Sequence, residues 1–396
     1  MKSWPGISTS SGASIPPTEA HADVVIVGAG AAGLSAGAAL RHQGVDAVLL
    51  DKDDRVGGTW ARRYERLHLH TMRRFSGLAH YPMPRAYPKY VPKDLFARYL
   101  QDYADHLELN VELNQTVRDV RQDDGLWRAE TAARTWRSRV VIIATGHYNE
   151  PVVPRWPGAD EFLGRVLHSV DYRSGRAFAA ERVLVIGIGN SGAEIATDLV
   201  EQGAAYVAIA VRTPPPIMPR DLFGVLPAQL FGIMFMPVPA PRLLDRAGAV
   251  LRRLGTGDLA KYGLGKAAWG PFSARRPAVI DVGFLRELKR GEIHVRPDVT
   301  RFSTSGVVYS DGLEENFDTV VAATGFDTGL ASLLSVSDAV DDDGRPQFRS
   351  GRPTTYPGLY FMGFDETIRG HLLEANRESK RLAVTVAEYL AASVRS

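Results

Sequence analysis

Asp23-Val24-Val25-Ile26-Val27-Gly28-Ala29-Gly30-Ala31-Ala32-Gly33 decides the fold. Asp23 to Val27 is a short, β-branched apolar run, the pattern of a buried parallel strand. The glycines follow at once. Leu34, Ala38 and the alanines around them keep helical spacing until Gly44 stops the helix. Ala47-Val48-Leu49-Leu50 is the next strand, and Asp51 closes it. In this βαβ unit Gly28 permits the tight turn, Gly30 lets a pyrophosphate approach the backbone, and Gly33 lets helix and strand pack closely. The helix N-terminus offers free N–H groups to phosphates. Asp51 stands where a carboxylate grips ribose hydroxyls, and Lys52 beside it joins the candidate binding residues.

The same grammar recurs. Arg182-Val183-Leu184-Val185-Ile186 leads into Gly187-Ile188-Gly189-Asn190-Ser191-Gly192, and Ile195 and Leu199 mark the inner face of a helix that Gly203 ends. Tyr206 to Val211 is the paired strand, with Arg212 at its end. The first unit carries an acid at this place and the second a cation. A carboxylate repels a 2′-phosphate, whereas a guanidinium pairs with it, so the second unit is expected to take NADPH. The other reading of Arg212 is a solvated strand-end charge. The N-terminal loop is expected to take FAD, with Gly57-Gly58-Thr59-Trp60 as a glycine turn laid against the cofactor; on its own that turn reads as surface.

Val140-Val141-Ile142-Ile143-Ala144-Thr145-Gly146 and Thr319-Val320-Val321-Ala322-Ala323-Thr324-Gly325 look alike, each a buried strand ending in Ala-Thr-Gly. Their glycines suit sharp turns between domains. The expected fold class is α/β, with two Rossmann-like dinucleotide-binding domains and the NADPH domain inserted in the FAD domain. The boundaries follow: a disordered tail over 1–20, the FAD domain over 21–150 and 326–396, and the NADPH domain over 151–325 with an apolar lid near 213–285. Leu359-Tyr360-Phe361-Met362-Gly363 reads as the final strand, Gly363 as a cofactor contact, and a last helix is expected from near Asn376.

Composition narrows the chemistry. The chain has 396 residues, a formal net charge of +2 and no cysteine. Dithiol chemistry beside a flavin is thereby excluded, and no basic stripe argues for nucleic acid. The tail shows no secretory signal, and a cytoplasmic protein is expected. Leu222 to Pro241 carries no charge and invites three readings: a lid or pocket wall, a membrane-surface patch, or ordinary core. Pro227, Pro237, Pro239 and Pro241 argue against a spanning helix. His68, His80, His294 and His371 lack metal-ligand spacing, so no metal is expected.

Phe162-Leu163-Gly164-Arg165-Val166-Leu167-His168-Ser169-Val170-Asp171-Tyr172 reads F-x-G-x-x-x-H-x-x-x-Y and resembles the fingerprint of flavin-containing monooxygenases. Tyr64-Glu65-Arg66-Leu67-His68-Leu69-His70, Tyr87-Pro88-Lys89-Tyr90-Val91-Pro92, Gly257-Asp258-Leu259-Ala260-Lys261-Tyr262-Gly263-Leu264, Val279-Ile280-Asp281-Val282-Gly283 and the stretch from Pro214 to Pro241 resemble segments of one branch. The chain is similar to the class B flavoprotein monooxygenases, and most similar to their YUCCA branch, the indole-3-pyruvate monooxygenases. Two departures stand out. Many animal-type relatives carry Asn beside the flavin where this chain has His70, and the run from Phe364 to His371 has no clear counterpart in the branch.

The resemblance implies a cycle. NADPH reduces FAD, reduced flavin captures dioxygen as a C4a-(hydro)peroxide, and NADP⁺ stays to shield it. In the YUCCA-like version that adduct attacks the ketone of an aryl 2-oxo acid such as indole-3-pyruvate, and carbon dioxide leaves. N- or S-oxygenation of a small molecule, Baeyer–Villiger oxygenation and a non-catalytic nucleotide binder are the rival readings. His70 is the candidate catalytic group at the flavin edge, its alternative being a structural histidine. His168 is expected to hold the inter-domain linker near NADP⁺. Lys261 and Arg275 read either as solvated charges or as partners for a substrate carboxylate. The expected partners are dioxygen and a small-molecule substrate, with a homodimer and a peripheral membrane contact through 222–241 as further readings.

Overall fold

A computed structural model describes residues 18–222, 224–235, 239–274, 278–365 and 367–393. The first apolar run forms the strand Thr18–Val27, which feeds the helix Ala31–His42 and the strand Ala47–Leu50. The two strands pair in parallel, with Val24 beside Ala47 and Val27 beside Leu50. Thr18, Glu19 and Ala20 already pair with Arg134, Thr135 and Trp136, so the strand starts inside the stretch expected as tail. Residues 1–17 lie outside the described residues.

The first sheet has seven strands. Its path runs Asn110–Glu112, Ala47–Leu50, Thr18–Val27, Arg134–Ile143, Leu126–Glu130 and Asp119–Asp123, and Leu359–Phe361 joins Arg134–Ile143 in parallel. The second has five parallel strands in the order Ile293–Arg296, Tyr206–Ala210, Arg182–Ile186, Thr319–Ala322 and Arg165–His168. All strands of the second sheet fall, in chain order, between the first sheet's sixth and seventh, which makes one nucleotide fold an insert in the other. The crossings lie side by side: Glu150–Pro151 pairs antiparallel with Phe326–Asp327. Each sheet is lined on both faces by apolar clusters, as continuous Val/Ile/Leu strands require.

The strands before the two Ala-Thr-Gly triplets end at Ile143 and Ala322, leaving both triplets in loops where Gly146 has φ +77° and Gly325 φ +93°. The last helix spans His371–Ser393 and starts earlier than expected. Gly370, at φ +99°, makes the turn before it, and Leu372 and Ala375 extend its buried face into the first core. The stretch expected as a lid folds as a hairpin, Asp221–Leu222 against Leu226–Pro227, followed by the helices Ala228–Phe235 and Pro241–Thr256. Pro241 sits in a helical first turn, where its missing N–H costs nothing. Pro237 lies outside the described residues. Among those residues no helix is long and apolar enough to cross a membrane.

Candidate functional site

The two glycine loops are near replicas. Gly28 has φ +103° and Gly187 φ +104°, a region that disfavours any side chain. A Cβ on Gly33 would stand 1.9 Å from the Gly28 carbonyl oxygen, and one on Gly192 would stand 2.0 Å from that of Gly187. At Gly30 and Gly189 a Cβ would meet nothing within 4 Å, so the space in front of each helix N-terminus is open for a phosphate. The Asp51 carboxylate accepts from Ala29 N–H at 2.6 Å and from Asp53 N–H at 2.9 Å, which fixes the first loop. Burial raises the affinity of Asp51 for its proton, while those two N–H groups oppose the shift.

Both loops open into one cavity of about 2160 Å³. Pockets for one drug-sized ligand run to roughly 1,000 Å³, so there is room for more than one. The hydroxyls of Thr145 and Thr367 are buried at its wall with no hydrogen-bond partner among the described residues. Buried hydroxyls are normally satisfied, and a polar cofactor would satisfy them. The residues present therefore fit two dinucleotides.

Of the residues expected at the cofactors, all but Gly33, Gly192 and His168 line this cavity. Lys52 donates to the Asn149 side chain at 2.6 Å, and Thr59 donates to Asp53 at 3.1 Å. Gly58 opens a short helix, Gly58–Ala61, and Trp60 meets the Phe96 ring edge-on at 4.6 Å. Gly363 packs so close to Ala32 that a Cβ there would lie 2.5 Å from the alanine's own. The Asn190 side-chain oxygen accepts from Ile280 N–H at 2.8 Å and ties the loop to the strand Val279–Asp281. Thr324 donates to the Val152 carbonyl, joining the two crossings. Arg212 is exposed at the cavity wall with no carboxylate in ion-pair reach among the described residues. Lys261 is exposed and away from the cavity lining, and Arg275 lies outside the described residues.

His168 is buried on the crossing. Its Nδ1 accepts from Val170 N–H at 3.2 Å, so Nε2 carries the proton and donates to the Gly325 carbonyl at 3.1 Å. Its ring meets Phe326 edge-on at 4.9 Å. Burial lowers its proton affinity, in keeping with a neutral ring.

His70 reaches across the domains. Its Nε2 lies 2.6 Å from Glu194 Oε1, and Glu194, in the first turns of the helix Asn190–Glu201, is 2 % exposed. Tyr64, also buried, has Glu194 and Ser191 as its polar neighbours. Burial, and then the neighbouring Glu194 charge, hold the Tyr64 phenol well above its usual range, so it donates. Arg63, next to it, lines the cavity with no carboxylate partner among the described residues, its guanidinium 5.3 Å from the Phe326 ring centre. The sequence alone assigns no role to Glu194, Tyr64 or Arg63, though Tyr64 opens the run Tyr64–His70 and Glu194 stands two residues after the second glycine loop.

The stretch expected as a lid lines the cavity's other side with Phe231, Phe235, Leu244, Leu251, Trp269 and Phe272. Gln229 fastens it twice, accepting from Met72 N–H at 2.8 Å and donating to the Arg369 carbonyl at 2.8 Å. A Cβ on Gly232 would lie 2.3 Å from the Ile368 carbonyl oxygen, so lid and the run 364–371 touch backbone to backbone. Of that run, unmatched in sequence, Thr367, Ile368, Gly370 and His371 line the cavity, with Gly370 against Thr71.

Residues 25–217 match the family described as pyridine nucleotide-disulphide oxidoreductase. The chain is 35% identical over 358 residues to the probable indole-3-pyruvate monooxygenase YUCCA3 of Arabidopsis thaliana, covering 86% of this chain and 81% of that relative. It is 36% identical over 377 residues to indole-3-pyruvate monooxygenase YUCCA6 of the same plant, covering 91% and 88%. The solved structure of a flavin-containing monooxygenase from Stenotrophomonas maltophilia superposes with a TM-score of 0.69 at 26% identity, over 93% of this chain and 99% of that one. An open structure of cyclohexanone monooxygenase shares the fold, with a TM-score of 0.73 at 20% identity over 95% and 88%.

Proposed function

The chain belongs to the class B flavin-dependent monooxygenases, in the branch of the indole-3-pyruvate monooxygenases, and from that premise we propose that it uses FAD, NADPH and dioxygen to shorten an aryl 2-oxo acid such as indole-3-pyruvate by one carbon. The balance is 2-oxo acid, O₂, NADPH and a proton in; carboxylic acid, CO₂, NADP⁺ and water out. The observation that carries the reading is the single cavity into which both glycine loops open, walled by aromatic and aliphatic lid residues.

FAD is assigned to the unit built from 21–150 and 326–396, with the Gly28–Gly33 loop at its pyrophosphate and Asp51 at its ribose. NADPH is assigned to 151–325, with Gly187–Gly192 at the pyrophosphate and Arg212 at the 2′-phosphate. Bound flavin supplies the two-electron chemistry that activates dioxygen, drawing on the nicotinamide for hydride. The protein supplies the rest. Thr145 and Thr367 offer hydroxyls to the bound cofactors. Phe231, Phe235 and Trp269 keep water from the reacting atoms and pack an aryl ring. His70 stands at the flavin edge as the group that holds or moves a proton.

Carbon dioxide released from indole-3-pyruvate or phenylpyruvate, in step with NADPH consumed, tests the reading. Oxygenated amines or sulfides without decarboxylation, or esters from ketones, would replace it with N/S-oxygenation or Baeyer–Villiger chemistry. A protein that binds both nucleotides yet oxidises no NADPH would reduce it to a binder.

A further inference from the structure

The buried Glu194 carboxylate has no place in the functional reading so far, yet among the described residues it is the group that hydrogen-bonds His70. It sits on the helix whose N-terminus carries the second glycine loop, whereas His70 and Tyr64 belong to the other nucleotide fold. A carboxylate that is 2 % exposed is stable only when paired and hydrogen-bonded, and here His70 hydrogen-bonds it while Tyr64 stands beside it. The bond to His70, at 2.6 Å, is short, as a charge-assisted bond is. An imidazole whose Nε2 faces a carboxylate keeps its proton on Nε2. Its Nδ1 has no partner among the described residues, and the ring, 21 % exposed, borders the cavity.

We propose that Glu194 is a positioning residue: it fixes His70 with Nε2–H turned to the carboxylate and Nδ1 left bare, so that the site is assembled only when the two nucleotide folds are in register. This deepens the monooxygenase reading and rests on it for its catalytic half. Its structural half concerns one proton on one nitrogen. Tyr64 lies beside the same carboxylate and beside Ser191, a residue of the loop expected to bind NADPH. Carboxylates set the tautomer and direction of histidines elsewhere in the same physical way.

The test begins with long-range ¹H–¹⁵N spectra of histidine-labelled protein without cofactors, His70 being assigned by its loss in His70→Asn. The expected spectrum shows a protonated Nε2 in the wild type, retained in Glu194→Gln, whose amide oxygen still accepts, and partly lost in Glu194→Ala. A bare Nε2 in the wild type overturns the proposal, as does an unchanged tautomer in Glu194→Ala. Where Glu194→Ala does not fold, the wild type and the isosteric Gln variant decide. In the holoenzyme, Glu194→Ala is expected to lower kcat about a hundredfold, the loss typical of a misaligned group, with KM for NADPH nearly unchanged and Glu194→Gln partly restored. Equal rises in KM for every ligand with kcat intact would leave Glu194 a mere packing element and overturn the catalytic half. Lack of turnover on 2-oxo acids would sink the substrate reading and leave the spectra to decide the tautomer.

Discussion

Glu378 shows how one residue sets a pH dependence for the whole chain. It is buried in the last helix, its Oε2 lacks a hydrogen-bond partner among the described residues, and burial, followed by the charges of Asp365 and Glu374, raises its pKa from 4.5 to about 8. The folded protein therefore holds a proton that the unfolded chain releases above pH 4.5. Stability from this group is full below that value and is lost as pH rises toward about 8. Thermal melts of Glu378→Gln, whose side chain cannot ionise, are expected to exceed the wild type at pH 9 and to converge with it under acid conditions. His168 acts in the opposite direction, since its proton affinity is lowered from 6.5: its contribution is present above that pH and falls away on acidification. Arg212 belongs to this scale too. With Arg212 at the 2′-phosphate as proposed, Arg212→Ala would remove a charge-assisted bond worth roughly 1.5–3 kcal/mol, so KM for NADPH should rise about tenfold or more while NADH is used equally well. Steady-state oxidation of the two nucleotides measures this directly.

At the scale of elements, the two βαβ units were legible because each of their signals acts within a short stretch of chain. The strand ends at Leu50 and Ile186 and the helices after Gly30 and Gly189 emerge where the apolar runs and glycines put them. The last helix begins at His371 rather than near Asn376, because the turn at Gly370, and no apolar pattern, fixes its first residue. Glu194 escaped notice for a different reason. It stands beside Ile195 on a helix marked by apolar spacing, and its partner His70 is 124 residues away, beyond any local pattern. The lid's attachment through Gln229 is equally non-local. The replicated loops yield a paired prediction. A methyl at Gly33 or at Gly192 collides with a carbonyl about 2 Å away, a misfit of about 1–3 kcal/mol that the loop must absorb by moving. Gly33→Ala should therefore lose the yellow cofactor, whereas Gly192→Ala should stay yellow but resist reduction by NADPH. Absorbance spectra before and after NADPH separate the two.

For the molecule as a whole, lid and cavity act together. Gln229→Ala breaks both fasteners of the lid, each worth about 1 kcal/mol net, and lets water into the cavity. NADPH should then be consumed faster than carbon dioxide appears, the surplus emerging as hydrogen peroxide, and the ratio of the two rates reports it. One more consequence lies in the ribbon formed by Glu150–Pro151 and Phe326–Asp327. Antiparallel neighbours have their Cα atoms only about 5 Å apart, so the middle of the polypeptide enters and departs through one narrow neck. Such a cassette can be spliced out and the cut bridged by a hairpin of about two to five residues without redirecting any strand of the host sheet. Rotation about that neck would leave the chain unstretched, and what opposes it is the set of side-chain bonds across the two folds, His70 to Glu194 and Gln229 to Met72 and Arg369.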